Sequence, residues 1–170
     1  NLPNVPVHDL FVHPRDRELI AGTHGRGAWV VDVLPLQELD AATRAKPVHL
    51  FHIDPVQANR NWQRGPDPWF DRAEFLPSMS GSYWNAAGGE ARFTLLDSNS
   101  KPLASFTRSG SAGLNSFEWD LQLESALVLA AEDAALAKLD AAEREQLKHR
   151  RYSEAVRLGQ RLYPQPGSYT

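Results

Sequence analysis

The sequence predicts a mostly β chain built in two parts, and three observations carry that expectation. Residues 7–33 hold three short apolar runs separated by two turn signals. Residues 90–121 hold three further runs in which apolar and polar side chains alternate. Residues 123–163 then turn to alanine, leucine and charged side chains, the pattern of a helical hairpin inserted into the second β part.

The opening runs form an antiparallel three-stranded meander. The first, residues 7–12, ends at His13-Pro14, with Arg15-Asp16-Arg17 as the bend. The second, residues 19–23, runs into His24-Gly25-Arg26-Gly27, where glycines supply the positive φ of a tight hairpin. The third, residues 28–33, is rich in Trp and Val and stops before Leu34-Pro35. Alternation puts Val7 and Phe11 on one face of the first strand and Leu10 and Val12 on the other. Trp29, Val31 and Val33 share a face of the third strand, and Val30 lies opposite beside Asp32. A sheet with one wet face alternates more cleanly than this. Apolar residues on both sides imply a sheet held between two neighbours. The simplest such architecture is a blade of a β-propeller whose adjacent blades lie outside this chain.

Residues 1–39, with NLPNVPVHDLFVHP, ELIAGTHGRGAWVVD and VLPLQEL, resemble the last blade of a bacterial BNR-repeat propeller. These are the sortilin-like and xyloglucanase-like proteins often labelled glycosyl hydrolases. In that family the blade precedes a Pro-rich linker and an immunoglobulin-like domain similar to that of the flagellar hook-capping protein. The order here matches, since PVHLFHIDP is followed by GGEARFTLLDSNSKPLASF, GLNSFEWDL and PGSYT. The resemblance implies a terminal blade over 1–39, a Pro- and aromatic-rich linker over 40–88, and a partial immunoglobulin-like sandwich over 89–170 with a helical insert at 123–163. It also implies a secreted or periplasmic protein. The Asp-box, Ser-x-Asp-x-Gly-x-x-Trp, is missing, so sialidase-type chemistry gains no support.

Between the two β parts the signals are weaker. Residues 35–46 read as a polar connector with a helical turn around 36–43. Residues 47–55 are bracketed by prolines and β-rich inside, which predicts an edge strand. Residues 56–84 read as a long loop carrying Trp62, Trp69, Phe70, Phe75, Tyr83 and Trp84. Beyond it, strands are expected at 90–96, 103–108 and 116–121, spaced as in a small sandwich. In the insert, Asp140 with Glu143 three residues on is a capping-box pattern opening a second helix. Leu147, Ala155, Leu158 and Leu162 then fall on one helical face, and Pro164 is expected to end it. The final PGSYT reads as the start of a next strand.

Composition excludes several classes. At 170 residues the chain can bury one good core or two small ones. A net charge of −3, without basic residues interleaved with aromatics, argues against nucleic acid as partner. No apolar run approaches the roughly 20 residues of a membrane span. There are no cysteines, which removes disulfides and thiolate metal sites. An opening Asn and a close just after Pro166-Gly167 are the marks expected of a fragment of a longer protein.

Four groups of residues are candidates for chemistry. His24 and Arg26, in a rim loop, offer donors to a sugar hydroxyl or carboxylate, although a hairpin turn alone explains the flanking glycines. Trp62 and Trp69, with Tyr83 and Trp84, offer flat surfaces to a pyranose ring or pack the linker onto its neighbours. Asp9 and Asp32 are weak catalytic candidates, because glycoside hydrolysis needs two carboxylates about 5–9.5 Å apart. Asp16 and Glu18 belong to a charged, solvated bend. His49, His52 and Asp54 look metal-like, but residues three apart on a strand diverge, and His8 and His13 suffer similarly. No metal site and no cofactor are expected; P-loop, dinucleotide and nucleophile-elbow patterns are absent. The expected function is recognition of a protein or glycan through propeller-rim loops, with the missing blades as partners and the C-terminal domain as a docking or structural appendage. The alternatives are a glycoside hydrolase whose catalytic carboxylates lie mostly in the missing blades, and a structural module assembling through the helical hairpin.

Overall fold

The computed structural model describes residues 4–59, 62, 76–146 and 152–170. They divide into two compact units, one comprising 4–53, 81–88 and 111–116, the other 54–59, 62, 76–80, 89–110, 117–146 and 152–170. Strand exceeds helix, 35% against 22%, so the mostly β expectation holds.

The first unit opens with the expected meander. Strands β1 (Val7–Val12), β2 (Glu18–Thr23) and β3 (Ala28–Asp32) lie in that order, each antiparallel to the next. The first turn closes with the His13 N–H donating to Glu18 O at 2.7 Å, and Arg17 adopts φ 58° to make the bend. In the second turn the Thr23 N–H and hydroxyl both donate to Gly27 O, at 3.1 and 2.6 Å. Gly25 and Gly27 sit at φ 71° and 77°, a conformation that a Cβ disfavours.

Register fixes the faces, because directly opposed residues share a side. Leu10, Ala21 and Trp29 form one row, and Val12, Leu19 and Val31 the next row on that face. Phe11, Ile20 and Val30 occupy the other face. One expectation is corrected here. Val7 was placed with Phe11, but a bulge between Val7 and Asp9 pairs Val7 with Thr23, on the Leu10 side.

The connector holds two single-turn helices, α1 (Leu34–Gln37) and α2 (Ala41–Arg44). Asp40 caps the second, its Oδ1 accepting from the Thr43 N–H at 2.7 Å. Strand β4 (Val48–Leu50) is an edge strand, as the bracketing prolines predicted, in a sheet that continues with β5 (Met79–Asn85) and then β8 (Gly113–Trp119). Strand β5 (Met79–Asn85) overturns part of the expected loop over 56–84. Its Ser and Gly content conceals the alternation, and burial of Tyr83 supplies what propensity lacks. Strand β8 (Gly113–Trp119) starts three residues before the expected position, after a turn held by the Asn115 amide against Ser111 and Gly113.

The second unit is built on the hairpin of β6 (Gly89–Leu96) and β7 (Pro102–Gly110). Asp97 shapes its turn, Oδ1 accepting from the N–H groups of Asn99 and Lys101, both at 2.8 Å. Phe93 and Phe106 face each other across the hairpin at 5.2 Å between ring centroids. Phe117 lies 4.6 Å from Phe93, and Trp119 stacks on Phe106 at 5.2 Å. Leu96 and Thr170 exchange both backbone hydrogen bonds, at 2.7 and 3.0 Å, but the closing PGSYT forms no strand.

Helix α3 (Ser125–Leu136) packs on β7 and on α5 (Tyr152–Arg157), burying Val128 and Ala131. The capping box is present at α4 (Ala141–Gln146). Asp140 Oδ1 accepts from the Glu143 N–H at 2.8 Å, and Glu143 Oε2 accepts from the Asp140 N–H at 2.9 Å. The expected end of the hairpin at Pro164 is corrected. Helix α5 (Tyr152–Arg157) stops at Gly159, φ 65°. The Gln160 N–H reaches Ala155 O and the Gly159 N–H reaches Val156 O, both at 3.0 Å, a Schellman closure. The expected leucine stripe therefore breaks: Leu158 is 55% exposed, while Leu162, beyond the helix, is buried. Leu147 lies outside the described residues.

Candidate functional site

The β2–β3 turn places His24 and Arg26 at one end of the meander, both exposed. His24 is anchored through its backbone, the N–H donating to Pro6 O at 3.0 Å. The bulge makes His8 the extra residue of β1, since Val7 pairs with Thr23 and Asp9 with Gly22. It brings the His8 ring to 5.2 Å from that of His24, with the planes tilted by 45°. The sequence pairs His8 with His13 and has their side chains diverge along an uninterrupted strand, so its nearness to His24 is a finding of the structure. The one available signal is Gly22 inside a strand, a residue that often marks a bulge.

The opposite end of the meander has a different character. Arg15 grips Asp16 with Nε to Oδ1 at 2.7 Å and Nη2 to Oδ2 at 3.0 Å. That guanidinium holds the Asp16 carboxyl below the usual carboxylate range. Glu18 and Asp32 stand directly opposed in the next row.

The catalytic candidates do not meet. Asp9 Oδ1 accepts from the Leu10 N–H at 2.9 Å, and Asp32 Oδ1 from the Leu34 N–H at 2.8 Å, where it fixes the entry to α1. Both lie on the Phe11 face, but two strand spacings and four residues of rise separate them, about 16 Å. That is well beyond the window of about 5–9.5 Å for a glycosidase pair.

The aromatic candidates divide. Trp62 is half-buried, with its ring 6.3 Å from that of the buried Tyr163. Tyr83 is buried in β5, and the Trp84 indole N–H is buried without an acceptor among the described residues. Burial leaves Tyr83 no face to offer a sugar ring. Trp69 lies outside the described residues.

The His49 ring stands edge-on to Phe51 at 5.0 Å, and the His52 N–H donates to Glu38 Oε2 at 3.3 Å. Among the described residues no group of three or more His, Asp or Glu is placed to hold a metal ion. No described helix is long and apolar enough to cross a membrane.

No protein-family model, curated protein or solved structure matches this chain.

Proposed function

We propose that the chain carries the terminal blade of a β-propeller, followed by a partial immunoglobulin-like sandwich with an inserted helical hairpin. The parent protein, secreted or periplasmic, recognises a protein or glycan through loops at the propeller rim. The observation that carries this reading is the two-sided apolar surface of the meander. Leu10 and Val31 are 61% and 54% exposed on one face, and Phe11 and Val30 are 53% and 56% exposed on the other. Full burial of each such side chain is worth roughly 1.5–3 kcal/mol, so a sheet of this kind favours a neighbour on both sides. Other blades of the same protein are the neighbours of matching shape.

Recognition falls to His24 and Arg26. The Arg26 guanidinium has the planar fork that grips a carboxylate through two hydrogen bonds. Asp9 and Asp32 stand too far apart to work as a glycosidase pair, so a hydrolase reading takes its carboxylates mostly from the missing blades, whereas recognition draws on the exposed turn this chain carries. Glycan-array and protein-array binding, compared with Arg26→Ala, tests the proposal. Loss of the bound ligand in the variant is expected; binding that survives unchanged removes the rim loop from the account.

A further inference from the structure

The bulge in β1 and the turn after β2 set two imidazoles side by side in a way neither strand achieves alone. We propose that His8 and His24 together chelate a divalent transition-metal ion of the class that takes imidazole nitrogen, such as Zn2+, Ni2+ or Cu2+. The ring separation carries the argument. A metal bound at about 2.0–2.1 Å from an imidazole nitrogen lies about 3.2 Å from the ring centre. Two ring centres 5.2 Å apart then subtend about 109° at the ion, the tetrahedral angle that Zn2+ prefers.

Anchoring adds to this. His24 is held by its N–H on Pro6 O, and His8 is locked between the Val7–Thr23 and Asp9–Gly22 pairs. The backbone thus fixes both Cα positions before any ion arrives, and each exposed ring can aim a nitrogen by turning about its Cβ–Cγ bond, which leaves the ring centre in place. No third His, Asp or Glu joins them among the described residues. The remaining coordination positions fall to water or to a donor from a bound partner, as in sites that keep an open position. The proposal depends on hairpin geometry alone and stands whether or not the meander is a propeller blade.

Calorimetric titration of the whole chain with Zn2+ alone, in a non-chelating buffer near neutral pH, tests it. One ion per chain is expected, with affinity reduced by at least roughly tenfold in His8→Ala and in His24→Ala. His13→Ala and Arg26→Ala keep the wild-type affinity, which separates metal binding from rim-loop recognition. In parallel, trace Cu2+ broadens the His8 and His24 side-chain resonances before those of His13, His49 and His52. Both substituted side chains are exposed, and unchanged circular dichroism confirms that the variants are folded. Absence of saturable Zn2+ binding, or full affinity in either single variant, overturns the proposal.

Discussion

The meander and the β6–β7 hairpin are both antiparallel and both rich in large apolar residues, yet the aromatics of the hairpin are half-buried under further aromatics and those of the meander are exposed. Phe93 and Phe106 meet across the hairpin, and the buried Phe117 and Trp119 close over them. In the meander, Phe11 and Trp29 remain exposed. Apolar content does not separate the two; its arrangement does. Strand β6 sets Ala91, Phe93 and Leu95 against Glu90, Arg92 and Thr94, so one added layer completes it. The meander is apolar in two full rows of one face, Leu10-Ala21-Trp29 and Val12-Leu19-Val31, and again in the Phe11-Ile20-Val30 row of the other. One layer can never finish it.

The sharpest way to break this contrast is to truncate one aromatic in each region. Phe117→Ala empties a buried position and is expected to cost about 3–5 kcal/mol. Phe11→Ala removes an exposed ring and is expected to change stability by less than about 0.5 kcal/mol. Urea unfolding of both variants measures the pair. A comparable loss for Phe11→Ala means that its face is covered in solution, and sedimentation then shows whether a second copy covers it.

A smaller effect sharpens the contrast through local chemistry. Asp140→Ala removes one half of the capping box and is expected to cost about 1 kcal/mol, read as lost helical circular dichroism. Gly27→Ala forces a Cβ into φ 77° and is expected to cost about 1–2 kcal/mol. Hydrogen exchange assigns each loss to its region: Asp140→Ala speeds exchange in α4, and Gly27→Ala in β2 and β3. A loss shared equally by both regions would contradict the division into two units.

These local devices were also the most legible parts of the sequence. The Asp140–Glu143 spacing, the prolines around β4 and the glycines of the second turn each act within a few residues, so their patterns survive in the string. Strand β5 was not legible, because Met79-Ser80-Gly81-Ser82 has little β propensity and its burial comes from strands distant in sequence. Pro164 is the stronger helix breaker in the string, but Gly159, at positive φ, closes the helix first. At the candidate site, His24 and Arg26 were visible as turn residues. The neighbour of His24 was not, because a bulge at His8 is a property of pairing between two strands.

The last test uses pH, since the two regions differ in what they titrate. The meander contains no tyrosine, and its Arg15–Asp16 pair is exposed. Whatever stability that pair lends is lost as pH falls through the carboxylate range and is screened by salt. Tyr152 in the second unit behaves oppositely. Its O–H donates to Tyr163 O and accepts from the Gln165 N–H, both at 3.2 Å, and burial, followed by the nearby Tyr169, pushes its pKa up to about 12. An unfolded tyrosine titrates near about 10, so the folded form resists ionisation. Its contribution is complete below about pH 10 and drains away as pH rises through about 12. Helical circular dichroism should therefore fall in that window while the fluorescence of Trp29 holds. In Tyr152→Phe the alkaline fall should flatten. A fall of equal depth in that variant would assign the alkaline sensitivity to other groups and leave Tyr152 a packing residue.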